Sequence, residues 1–170
     1  MFYPKFIKKN DCIGICAPSK GVGSKLKAFN TSIKRLNESF CVKETDSVRV
    51  NNVRSNTALI RGNEFNSLFM DDSVDMVMCA SGGDFLFEVL PYIDWKLVCE
   101  RPKWFMGYSD PTSILYTLTL TFAISFPSVS LAVITAGRFA PVENLLYILT
   151  PRLANCGTGS FRINGITPSP

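Results

Sequence analysis

The sequence predicts an α/β domain with an open, mostly parallel sheet and flanking helices, and three observations carry that prediction. Val74-Asp75-Met76-Val77-Met78-Cys79-Ala80 is a near-continuous apolar run, the pattern of a strand covered on both faces. Such runs alternate along the chain with stretches whose apolar residues recur every three or four positions, as on one face of a helix. Glycine, serine or proline follows each run, as in short strand-to-helix connections. The chain has 170 residues, 46% hydrophobic and 19% charged, which suits a folded core and not a disordered segment.

Taken in order, Cys12 and Cys16 flank Ile13-Gly14-Ile15 in a small buried strand that runs into a turn at Ala17-Pro18-Ser19. The glycines of Lys20-Gly21-Val22-Gly23-Ser24 fit neither the dinucleotide fingerprint nor the P-loop, so a plain connection to a helix is expected. Ser24 opens that helix, with Leu26, Phe29, Ile33, Leu36 and Phe40 on one face and Lys25, Lys27, Lys34 and Arg35 wet. A weak strand is expected over residues 47–50, then a loop at Asn51-Asn52. A second helix is expected over residues 55–70, with Leu59, Leu68 and Phe69 inward and Arg61 a surface or packing residue. Ser81-Gly82-Gly83-Asp84 then follows the strand at 74–80, and residues 85–90 begin another helix that stops near Pro91. Paired glycines let a ligand approach the backbone and offer free N–H groups, although a tight turn needs them equally.

The stretch Gly107-Tyr108-Ser109-Asp110-Pro111 organises the rest. Lys103-Trp104-Phe105-Met106 before it reads as a short strand following Pro102. After it, Asp110 suits an N-cap and Pro111 the first helical position, where its missing N–H costs nothing. Ser109 is thereby expected on a sharp strand-to-helix turn, its hydroxyl exposed beside a helix N-terminus. Backbone N–H groups there can stabilise an oxyanion, as in a nucleophile elbow. The alternative is ordinary turn chemistry, in which Ser109 only caps a helix. In a parallel sheet, residues 81–84 and 107–110 fall on the same edge, one offering N–H groups and the other the nucleophile.

Composition excludes several classes. A net charge of +4 with no basic block interleaved with aromatics does not indicate nucleic acid. Cysteines 12, 16, 41, 79, 99 and 156 are scattered and the chain has no histidine, so structural thiols are expected and no metal site. No secretory signal is evident, which makes a cytoplasmic location the default. The uncharged run from Pro111 to Gly137 raises a membrane span, but Pro127 and nine Ser/Thr interrupt it, and no membrane partner is expected.

Four landmarks in order carry a resemblance: Gly14-Ile15-Cys16-Ala17-Pro18-Ser19, Ser81-Gly82-Gly83-Asp84, Leu90-Pro91-Tyr92-Ile93-Asp94, and Pro102 through Thr112 around Ser109. Over roughly residues 5–120 the chain resembles the N-terminal domain of the LD-carboxypeptidases, serine peptidases that include muropeptide carboxypeptidases and microcin-immunity proteins. The resemblance implies a Rossmann- or flavodoxin-like domain followed by a second one, with a Ser-Glu-His triad and neither metal nor cofactor. Cleavage of a bond between an L- and a D-residue in a cell-wall peptide, or of the C-terminal amide of a peptide-nucleotide antibiotic, is the implied chemistry. By the same carry-over Ser109 is the nucleophile and the backbone N–H groups of Asp110, Gly82 and Gly83 form the oxyanion hole. Asp84 is a weaker candidate for substrate contact, and a homodimer is possible.

The departures count as much. With no histidine, and Glu143 the sole acid after Asp110, the triad is incomplete, and a chain of this kind is expected to be inactive alone. Residues 1–120 read as the nucleophile domain with the second family domain missing. Residues 121–170 read as an atypical tail, poorly ordered or out of frame, because all ten lysines lie before it. The competing reading is a non-catalytic, peptide-binding or vestigial α/β domain.

Overall fold

The computed structural model describes residues 4–125 and 133–135, with side chains through Leu118. Five strands, Cys12–Cys16 (β1), Cys41–Glu44 (β2), Met76–Cys79 (β3), Trp104–Gly107 (β4) and Val133–Thr135 (β5), form one sheet in the order β2-β1-β3-β4-β5. Every pairing is parallel, with Ile13 opposite both Val42 and Met76, and Phe105 opposite both Val77 and Val133. The helices are Leu26–Leu36 (α1), Ala58–Met70 (α2), Trp95–Glu100 (α3) and Thr112–Ser125 (α4). The predicted open parallel α/β sheet is therefore what forms, with the flavodoxin-like strand order. The chain leaves β1 outward to β2 and crosses back to β3, so the switch point lies between β1 and β3.

Alternation along the strands splits the core in two. Cys12, Cys16, Val77 and Phe105 face Phe65, Leu68 and Phe69 of α2, Val98 of α3, and Ile114 and Leu118 of α4. Phe65 centres that side, 5.0 Å from the Phe69 ring and 5.7 Å edge-on from Phe105. Ile13, Ile15, Met76, Trp104 and Met106 point the other way, toward Leu36 of α1, Phe40 and Val48. Side chains cap the starts of two helices: Thr57 accepts from the Ile60 N–H at 3.3 Å and Asp94 from the Leu97 N–H at 2.9 Å. Lys103, buried at the foot of β4, donates to the carbonyls of Leu68 (2.8 Å) and Asp71 (2.5 Å) at the end of α2, and burial lowers its pKa.

Several expectations need correction. Residues 47–50 are not a strand, since Asp46–Arg49 is a 3-10 turn and the strand comes earlier, at β2. The Glu64 carboxylate takes the Ser47 N–H (3.1 Å) and hydroxyl (2.8 Å), which draws that segment off the sheet edge. Leu59 is 52% exposed, and Phe65 takes the inward place. Residues 85–90 do not make an α-helix but two 3-10 turns, Leu86–Glu88 and Leu90–Tyr92. Among the described residues no helix is long and apolar enough to cross a membrane. The expected atypical tail at 121–170 falls, apart from the end of α4 and β5, outside the described residues.

Candidate active site

The site is built from three connections that leave neighbouring strands at one edge: the loops after β1 and β3 and the turn from β4 into α4. Ser109 sits on the last of these in the left-handed region, at φ +66°. For a residue with a Cβ that conformation costs about 1–2 kcal/mol, so the surroundings must impose it. They do so from both sides. Thr112, Ser113 and Ile114 N–H groups donate to the carbonyls of Ser109 (2.9 Å), Asp110 (3.0 Å) and Pro111 (3.1 Å), tightening the first turn. On the strand side, a Cβ on Gly107 would stand 2.5 Å from Pro111 Cβ, so only glycine lets the turn close.

Ser109 is exposed, and its hydroxyl meets the glycine turn as expected. A Cβ on Gly82 would lie 2.9 Å from Ser109 Cβ, 3.2 Å from its Oγ and 3.2 Å from the Tyr108 carbonyl. Gly83 packs on Ser19, where a Cβ would collide with the Ser19 hydroxyl. Among the described residues, none of the backbone N–H groups of Gly82, Gly83 and Asp110 donates to a protein acceptor. Asp84 is exposed and makes no hydrogen bond or ion pair among the described residues. Beside the start of α4 lies an open, mainly apolar groove of about 390 Å³ lined by Leu90, Thr112, Ser113, Tyr116 and Thr117.

Asp110 behaves differently from the expected N-cap. Its carboxylate turns away from α4, accepting the Leu86 N–H at 2.9 Å and the Ser19 hydroxyl. Its first-turn neighbours are closed by backbone carbonyls instead.

Sequence reasoning also missed a buried clamp. Arg61, fully buried, donates to the carbonyls of Pro18 (2.7 Å), Phe85 (3.1 Å) and Ser19 (3.3 Å) and to the Glu88 carboxylate at 2.8 Å. Burial lowers its pKa against the opposing pull of Glu88. Arg54 closes the set, bonding Glu88 at 2.6 Å and stacking over the Phe85 ring at 3.8 Å. Those bonds, Arg54's first, hold the Glu88 carboxyl below its ordinary range. A signal was present: Ala58, Arg61, Phe65 and Leu68 fall on one helical face, so Arg61 had to point inward.

The cysteines behave as structural thiols among the described residues, all of them free. Burial pushes Cys12 up to about 12 and raises Cys79 and Cys99.

A serine on a left-handed turn, where the edge of a parallel sheet enters a helix and a glycine turn faces it, has the backbone geometry of the elbow class of α/β folds. Within that class the chain belongs to the family described as the LD-carboxypeptidase N-terminal domain, whose model matches residues 13–127. It is 37% identical over 62 residues to the microcin C7 self-immunity protein MccF of Escherichia coli, over 36% of this chain and 18% of that protein. A Vibrio cholerae protein named as a carboxypeptidase is 30% identical over 123 residues, 68% of this chain and 35% of its own. The solved structure of MccF in complex with aspartyl sulfamoyl adenosine matches with a TM-score of 0.67 at 25% identity, over 72% of this chain and 38% of that one. The chain thus spans about a fifth to a third of the length of these curated relatives.

Proposed function

We propose that this chain is the nucleophile-bearing part of a serine-type LD-carboxypeptidase. Ser109 attacks a peptide carbonyl, and the backbone N–H groups of Asp110, Gly82 and Gly83 receive the oxyanion. The observation that carries the proposal is the exposed Ser109 hydroxyl, held at φ +66° against the Gly82 backbone. Amides that have no acceptor among the described residues, in Asp110 and in the glycine turn, are the donors that a tetrahedral intermediate needs. Asp84, exposed in the loop after β3, is the weaker candidate for substrate contact.

The substrate class is a peptide ending in an L–D bond, as in cell-wall muropeptides, or a peptide-nucleotide of the kind named with MccF. The Ser109 proton must go to a base, and the chain holds no histidine. The base is therefore supplied from outside these residues, and this chain alone is inactive. No cofactor or metal enters the scheme. The site is expected to work in the cytoplasm once that base is supplied, in a monomer or a homodimer.

The test mixes the chain with the Glu- and His-bearing domain of a relative and follows release of the terminal D-residue from an L–D peptide. Release that needs both parts and falls by about 10³-fold or more in Ser109→Ala supports the reading. Equal release by Ser109→Ala, or none from any pairing, overturns it in favour of a non-catalytic peptide-binding domain.

A further inference from the structure

We infer that Ser19 is a positioning residue for the nucleophile, bracing the elbow against the glycine turn through the Asp110 carboxylate. The inference rests on the reading of Ser109 as nucleophile and extends it to a residue two strands away. Ser19 is fully buried in the loop after β1, yet its side chain is polar, and both of its hydrogen-bonding functions are used. Its hydroxyl donates to Asp110 Oδ2, on the elbow, and accepts from the Phe85 N–H at 3.4 Å, just past the glycine turn. The same Asp110 oxygen accepts the Leu86 N–H at 2.9 Å. One hydroxyl and one carboxylate therefore tie together the loops that follow three adjacent strands.

Contact reinforces the bonding. Gly83 lies so close to Ser19 that a Cβ there would overlap the hydroxyl, and it would stand 3.2 Å from Ser19 Cβ. Ser19 thus sets how near the glycine turn can approach the sheet edge. Gly82, its neighbour in the chain, is the residue against Ser109. The carboxylate and the N–H of Asp110 leave the same Cα. Anchoring the carboxylate on two donors restricts the backbone of Asp110, and so the direction in which its N–H points. The Ser19 loop is itself fixed from behind, its carbonyl taking Arg61 Nη1 at 3.3 Å and the Ser55 N–H at 3.4 Å. Ser19 touches no reacting atom in this scheme. It acts through Asp110 and Gly83.

Ser19→Ala and Asp110→Asn in the full chain test the brace, with two readouts. In amide hydrogen exchange, Phe85 and Leu86 should exchange at least about tenfold faster in Ser19→Ala, while the Ile15 amide in β1 keeps its rate. In the complemented hydrolysis assay, each variant should lower kcat by about 10- to 100-fold with KM within about twofold, and the double variant should be no worse than either single one. A role in packing alone would leave kcat unchanged in the folded fraction. Parental kcat in Ser19→Ala overturns the brace while the nucleophile reading stands. Faster exchange in Ser19→Ala, together with no hydrolysis by the unsubstituted complemented chain, overturns the nucleophile reading while the mechanical link stands. Unchanged exchange at Phe85 and Leu86 overturns the link itself. If Ser19→Ala does not fold, Asp110→Asn, at a half-buried position, carries the same two readouts, and parental exchange or parental kcat there overturns the brace in the same way.

Discussion

The two turns that face each other across the site are built on opposite principles. The elbow, residues 107–111, is over-determined. Its serine has a left-handed backbone, its first helical turn is closed by three backbone bonds, and its Asp110 side chain is anchored on a neighbouring loop. The glycine turn, residues 81–84, makes no such bonds through the N–H groups of Gly82 and Gly83 among the described residues, and its shape comes from contact with Ser19 and Ser109. The difference shows how a site can be rigid and still keep donors free. Strain is concentrated at Ser109, and the amides opposite are positioned by packing, which among the described residues uses up no N–H group.

The largest way to break this arrangement lies beneath both turns. Arg61→Ala would leave the Pro18 and Phe85 carbonyls without their donor and Glu88 with Arg54 alone, and a loss of about 2–5 kcal/mol in chemical unfolding is expected. Loops after β1 and β3 should loosen together, seen as faster exchange at Ser55 and Phe85.

Gly107→Ala and Gly82→Ala sharpen the contrast. A methyl at Gly107 meets the Pro111 ring at 2.5 Å and has nowhere to go, so stability should fall by about 1–3 kcal/mol. At Gly82 the methyl meets Ser109 itself at 2.9 Å. The expected cost there falls on hydrolysis more than on the thermal midpoint. Equal stability losses from the two substitutions would erase the distinction drawn between the turns.

Ser109→Gly should stabilise the fold by about 1 kcal/mol, because glycine adopts positive φ without the Cβ penalty, while removing the proposed nucleophile. A destabilised Ser109→Gly would show that the left-handed turn is not strained.

The smallest effect is in the pH profile. Glu88 has its carboxyl below the ordinary value of 4.5 in the folded state, first through Arg54. A depressed folded pKa means that stability is present above the unfolded value and is lost as pH falls through the folded one. Glu88→Gln should therefore be less stable than the parent at pH 7, the gap closing as the solution is acidified below 4.5. A gap that widens on acidification would reverse the assignment.

Legibility in the sequence followed burial. Ile13-Gly14-Ile15 and Met76–Cys79 lie in interior strands of the sheet, so their residues are apolar and easy to recognise. Strand β2 lies at an edge, and Lys43 and Glu44 carry solvent contacts within it, so no apolar pattern marked it. The helix expected at 85–90 gave way to 3-10 turns: Arg61 takes the Phe85 carbonyl that would accept its first bond, the Val89 and Tyr92 N–H groups close on residues three back, and Pro91 has no N–H to continue it.

By itself, the sequence determined the parallel α/β class and the turn at Ser109, since both follow from local spacing: apolar runs, paired glycines, and proline at the threshold of a helix. It determined the family as well, through landmarks that survive in linear order. Only the tertiary structure decided that Asp110 braces loops instead of capping α4, that Ser19 is the residue it grips, and which carbonyls and carboxylate Arg61 takes. Those are polar groups satisfied by partners 24 to 91 positions away in the chain. A side chain's choice between a near and a distant hydrogen bond depends on which strands lie side by side, and residue spacing along the chain does not encode that.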